Sequence, residues 1–161
     1  MNKLLIVTTG GTIDKIYFDE LSDYQVGEPQ IGKILDLMHV GFEFEIKAII
    51  RKDSLHFKDE DRLAIHTEIT ASNATHVLIT HGTDGMVKTA LMLTDIPGKT
   101  MVLTGALHPA SFRDSDAVFN IGCAIGALQA SPPGAWIAMN GCIWDPKKVQ
   151  KNRDKNRFEA K

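Results

Sequence analysis

Two short segments place hydroxyls and a carboxylate directly after apolar runs. Leu4-Leu5-Ile6-Val7 leads into Thr8-Thr9-Gly10-Gly11-Thr12-Ile13-Asp14, and His76-Val77-Leu78-Ile79 leads into Thr80-His81-Gly82-Thr83-Asp84-Gly85. Glycine lets the backbone adopt positive φ and lets a ligand or a second loop approach closely. A threonine hydroxyl just after such a turn sits at a strand's carboxyl end, and as a weak nucleophile it needs a base or a proton path. Asp84, opening a helix, stays ionised because a helix amino terminus favours negative charge. It could accept a hydrogen bond from a substrate ammonium or orient a nearby lysine. The backbone N–H groups of the two glycine-containing loops suit an oxyanion hole, usually the largest single contribution in acyl transfer. The same residues also fit ordinary βα turns, with Asp84 a helix cap.

Other chemistries find less support. The six histidines are scattered without paired-ligand spacing, so no metal is expected. Gly10-Gly11 is followed by neither a third glycine nor Gly-Lys-Ser/Thr, which argues against a phosphate loop. No cofactor is implied. Cys123 and Cys142 lack the spacing of a metal site or a disulfide framework and read as reduced thiols, Cys123 as a small buried hydrophobe in a helix. A net charge of −2 gives no drive toward nucleic acid or anionic membranes. The apolar runs fall well short of the roughly 20 residues needed to span a bilayer. Met1-Asn2-Lys3 runs straight into the first strand without a basic-then-apolar leader, so the expected location is cytoplasmic.

The elements that must position these residues alternate along the chain. With 161 residues, 43% hydrophobic and 24% charged, the expectation is one soluble globular domain over 1–161. After the first strand, Asp14 to Pro29 reads as a mobile loop over a site. A short helix over about Gln30–Met38 precedes a strand over Phe42–Ile50, whose apolar residues recur at period two. Arg51–Phe57 is a polar turn holding Asp53-Ser54, and Asp59–Ala71 a helix. The strand His76–Thr80 precedes a helix near Met86–Leu93, and Thr100–Thr104 is the fourth strand. Asp114–Ala130 is the longest helix, with Gly122, Ala124, Gly126 and Ala127 expected against the sheet. Ala135–Met139 is the fifth strand, which Gly141-Cys142-Ile143-Trp144 extends or turns. The Lys147–Lys161 tail is rich in lysine and arginine but holds Asp154, Glu159 and one aromatic, Phe158, so it reads as a solvated face before a nucleic-acid tail.

Strands separated by helices predict an α/β fold: a three-layer, doubly wound, mostly parallel sheet of flavodoxin-like strand order 2-1-3-4-5. In that order the first and third strands are neighbours and the winding reverses between them. Their carboxyl ends flank the crevice where such folds bind ligands. Thr12 and Thr83-Asp84 stand at those two ends, so topology and motifs converge on one place.

Thr8-Thr9-Gly10-Gly11-Thr12-Ile13 followed by Thr80-His81-Gly82-Thr83-Asp84 resembles the paired signatures of bacterial-type L-asparaginases. The likeness runs over essentially the whole chain but covers only that family's amino-terminal domain; the carboxy-terminal domain is expected to be absent. The resemblance implies that Thr12 is the first catalytic threonine, that Thr83 and Asp84 are the second threonine and its aspartate, and that Lys151 completes a Thr83–Lys151–Asp84 relay. Tyr24 matches the tyrosine of the flexible lid. Ser54, after Asp53, matches the serine that binds the substrate carboxylate. Gly105-Ala106 matches the loop near the substrate amide, with Gly11 and Gly82 lining the site. Gly85 and His108 depart from the family, which commonly has threonine and arginine there. His81 is expected to shape its loop rather than act as a base. The implied activity is hydrolysis of L-asparagine to L-aspartate and ammonia through a threonine acyl-enzyme, by a homo-oligomer (a dimer or higher) acting on a small amino-acid amide. The alternatives are a catalytically weak module that binds a small ligand and the ammonia-releasing component of an amidotransferase.

Overall fold

A computed structural model describes Met1 and residues 3–161. Strand β1 (Lys3–Gly10) is buried from Leu4 onward because both of its faces are covered, which is why it reads as a continuous apolar run. It is followed by a short hairpin, β2 (Lys15–Phe18) and β3 (Asp23–Val26), by helix α1 (Ile31–Leu37) and by strand β4 (Glu43–Lys52). Then come helix α2 (Asp59–Ala71), β5 (His76–Thr80), α3 (Met86–Met92), β6 (Thr100–Thr104), α4 (Ala117–Ala130) and β7 (Gly134–Met139). The chain ends in β8 (Cys142–Trp144) and a second hairpin, β9 (Val149–Asn152) with β10 (Arg157–Ala160).

The main sheet has the order β4-β1-β5-β6-β7-β8. Its first five strands are parallel and realise the expected 2-1-3-4-5 winding. β8 adds an antiparallel edge. Two apolar layers cover the sheet. One gathers α2, α3 and the last hairpin over Val7, Ile79, Leu103 and Ile137. The other gathers α1 and α4 over Ile6, Leu78, Val102 and Ala138.

Several local expectations are corrected. Asp14–Pro29 contains a hairpin where an irregular loop was expected, with Tyr17 opposite Tyr24 and left-handed Ser22 beside its turn. Its strands are exposed almost throughout, so no buried stripe marked them. Gly141 turns the chain: Asn140 and Gly141, both at positive φ, form the two-residue connection between β7 and β8. On α4, Ala124 and Ala127 face the sheet as expected, but Gly122 and Gly126 face open space. Cys123 is half-buried rather than core, Cys142 is exposed, and both are free thiols. The tail is a docked hairpin, with Val149 and Phe158 buried in the first apolar layer, worth about 2 kcal/mol each by burial alone.

Candidate active site

The carboxyl ends of β1, β5 and β6 converge because glycines let their loops touch. Gly11, at φ 91°, lies so near the following loop that a Cβ there would stand 2.5 Å from Gly82 Cα. Gly82 in turn leaves room for the Ser54 hydroxyl. A side chain at any of these contacts would push the loops apart. Thr12 and Thr83 are the residues immediately after the two touching glycines, so the contact brings both threonine loops together. Strand ends are tied beneath it by the Thr9 hydroxyl, which donates to the Thr80 carbonyl at 2.9 Å. Thr12 is half-buried in a 3-10 turn, and Thr83 is buried.

Lys151 reaches the second of these loops from the tail. Its Nζ donates to Thr83 Oγ1 at 2.8 Å and to Asp84 Oδ1 at 3.0 Å, with the lysine side chain only 14% exposed. The amine therefore bridges a hydroxyl and a carboxylate, an arrangement suited to moving a proton to or from Thr83. Arg153, which sequence reasoning missed within the basic run, donates from Nε to the same Asp84 oxygen at 3.1 Å. Its side chain is 70% exposed, so this contact contributes little by itself.

Ser54 is buried in a 3-10 turn after β4, and its Oγ accepts the Gly85 N–H at 2.9 Å. The hydroxyl thereby joins the start of α3 to the β4 edge. Asp53 supports that turn, because its Oδ1 accepts the Leu55 N–H and its Oδ2 pairs with Lys15 at 2.9 Å. Burial pushes the Asp53 carboxyl up, but the Leu55 N–H and Lys15 together hold it below its ordinary range. Tyr24 stands on the first hairpin, 43% exposed, against Tyr17 and Phe112. Ala106 is buried beneath the β6 loop, and Gly105 packs on the His81 carbonyl.

His81 is fully buried. Its Nδ1–H donates to the Gly82 carbonyl at 2.7 Å, which leaves Nε2 to accept the Thr89 hydroxyl at 2.8 Å. Burial drives its pKa down to about 4, so the ring stays neutral and holds the loop. Asp14 fixes the base of the first hairpin: its carbonyl accepts the Gly27 N–H at 2.8 Å and its Oδ1 the Gln30 N–H at 2.9 Å. Burial raises its pKa to about 6, against the pull of that N–H and of Arg51.

These two groups give opposite pH dependences. Between pH 6.5 and 4 the unfolded chain protonates His81 and the folded chain refuses, so stability falls as pH falls. Between pH 3.8 and 6 the folded chain holds a proton on Asp14 that the unfolded chain has lost, so stability falls as pH rises. Asp14→Asn keeps the acceptor for Gln30 and removes the buried charge. It is expected to stabilise the protein by up to roughly 3 kcal/mol above pH 6, with the gain shrinking toward pH 4. Urea unfolding at pH 7.5 and pH 4 checks this; a gain of equal size at both would show that Asp14 is not strained by burial.

A parallel, doubly wound domain with two threonine-bearing loops meeting at its switch point is the class that fold and site define. The chain belongs to the asparaginase family, since the family model described as "Asparaginase, N-terminal" matches residues 3–160. It is 28% identical over 142 residues to an L-asparaginase of Thermococcus kodakarensis, covering 84% of this chain and 43% of that protein. To a probable periplasmic L-asparaginase of Haemophilus influenzae it is 30% identical over 159 residues, covering 92% of this chain and 46% of the relative. The solved thermostable L-asparaginase of Thermococcus kodakarensis superposes with a TM-score of 0.85 at 28% identity, over 98% of this chain and 51% of that one. A probable cytoplasmic L-asparaginase of Campylobacter jejuni superposes with a TM-score of 0.84 at 26% identity, over 99% and 53%. The chain spans about half the length of the curated relatives it matches.

Proposed function

We propose that this chain is an amidohydrolase that converts L-asparagine to L-aspartate and ammonia, acting as a single domain over residues 1–161 in the cytoplasm. The observation that carries the reading is the Lys151 amine held 2.8 Å from the Thr83 hydroxyl and 3.0 Å from Asp84, on the loop that touches the Thr12 loop. Thr12 Oγ1 attacks the side-chain amide carbon, and its proton passes toward the lysine cluster. The C–N bond then breaks, ammonia leaves with a proton, and an aspartyl ester remains on Thr12. Water, activated by Thr83 and Lys151, hydrolyses that ester and restores the hydroxyl. Backbone N–H groups of the Gly11 and Gly82 loops face the developing oxyanion. Ser54 receives the substrate carboxylate and Asp84 the ammonium. Asp53 supports Ser54, Ala106 underlies the amide, and Tyr24 closes over it from the hairpin.

The exposed side chains of Tyr17, Phe18, Leu21, Tyr24 and Phe112 support homo-oligomer formation beside the site, since a second copy would cover them. A crystal soaked with L-aspartate tests the site. The side-chain carboxylate is expected within about 3.5 Å of Thr12 Oγ1, with the α-carboxylate at Ser54. Aspartate bound on another face would overturn the assignment.

A further inference from the structure

A chain of hydrogen bonds joins the loop between β6 and α4 to the hairpin that carries Lys151. The Asp116 carboxylate accepts the Leu107 and His108 N–H groups at 3.0 Å and an Asn120 Nδ2–H at 2.8 Å. Asn120, fully buried, donates its second Nδ2–H to the Gly105 carbonyl at 3.0 Å. Its Oδ1 accepts the Asn140 N–H at 3.3 Å, which engages both Nδ2 hydrogens and the oxygen of its amide. Asn140 Oδ1 then accepts the Phe158 N–H at 2.8 Å, and Phe158 stands opposite Lys151 in the β9–β10 register.

Among the described residues, this is the only hydrogen bond between that hairpin and the body outside the Asp84 cluster itself. The hairpin's other anchors are the apolar contacts of Val149 and Phe158, which resist withdrawal but do not fix a sliding displacement. A directional bond at the residue facing Lys151 does fix it. Asn140 is in the left-handed region, at φ 56°, in the β7–β8 turn. The turn needs positive φ there, which glycine supplies equally well, so the turn alone does not demand an amide side chain. We infer that Asn140 is a positioning residue: through Phe158 it sets where the Lys151 amine lies relative to Thr83 and Asp84, with Asn120 and Asp116 holding Asn140 to the loop between β6 and α4. The inference rests on the proposed hydrolase reading for its kinetic consequence.

Asn140→Gly keeps the backbone conformation and deletes the acceptor. Asn140→Asp keeps an acceptor oxygen. For L-asparagine, Asn140→Gly is expected to lower kcat on the order of 10–100-fold, since small misplacements of a reacting group cost that much. KM should stay within about threefold and Tm within about 5 °C of wild type, and Asn140→Asp should recover most of the rate. Unchanged kcat in Asn140→Gly, or Asn140→Asp as slow as Asn140→Gly, overturns the inference. If the wild-type chain releases no ammonia, the hydrolase reading fails and amide exchange decides the positioning question alone. Asn140→Gly should then speed exchange at Phe158 and Lys151 about tenfold or more and leave β1 and β5 unchanged. Equal exchange in both proteins overturns it.

Discussion

Thr12→Ala is expected to abolish ammonia release, by a factor on the order of 10⁴ or more, while leaving the far-ultraviolet circular dichroism and Tm close to wild type. The side chain is half-buried and holds no part of either apolar layer. The turn that presents it is fixed by its neighbours: Ile13 is buried, and its carbonyl accepts the Ala110 N–H at 3.0 Å. Deleting the hydroxyl therefore removes chemistry without removing structure. Thr83 is the competing hydroxyl, already bonded to Lys151. If Thr12→Ala retains wild-type turnover while Thr83→Ala loses it, the nucleophile has been assigned to the wrong threonine.

Lys151→Ala should cost about 10³-fold in kcat, the range of a positioned acid–base group, because it removes the only amine on the Thr83 hydroxyl among the described residues. Lys147→Ala and Lys155→Ala should change little, since neither reaches Thr83 or Asp84; Lys155 pairs instead with Glu159 at 3.6 Å. Arg153→Ala is a sharper control. It removes a cation from Asp84 but leaves Lys151 in place, so a loss under about fivefold is expected for so exposed a side chain. Equal losses from Lys151, Lys147 and Lys155 would reduce the tail to diffuse charge. Truncating the chain after Asp145 is a poorer test, because it also strips buried Val149 and Phe158 from the core and destabilises the fold.

The central architecture was legible because buried parallel strands announce themselves. Leu4–Val7, Val77–Ile79 and Met101–Leu103 are short apolar runs closed by threonine and glycine, and their crossovers dictate the winding. The paired hairpins were not legible for the opposite reason. β2 and β3 expose almost every side chain, so no face carries a pattern, and β9–β10 bury only Val149 and Phe158 amid charge. One signal was available and underused: Asn140-Gly141 between apolar residues is a strong two-residue hairpin mark. Among candidate site residues, Thr12, Thr83 and Asp84 drew notice because each stands directly after an apolar strand. Arg153 was hidden because one cation in a basic run looks like any other. Asn120 was hidden because a lone amide in an apolar helix reveals its partners only when the β6 loop and the β7–β8 turn fold against it.

The most direct measurement is ammonia release from L-asparagine by the purified 161-residue chain alone, followed over a dilution series. The account predicts turnover without any added protein or cofactor, with aspartate formed in equal amount. If a second copy closes the site, specific activity should fall on dilution as light scattering reports smaller particles. Binding of L-aspartate without turnover at any concentration would contradict the account and leave a ligand-binding module. Ammonia released only when a further protein is added would make the chain a component of an amidotransferase.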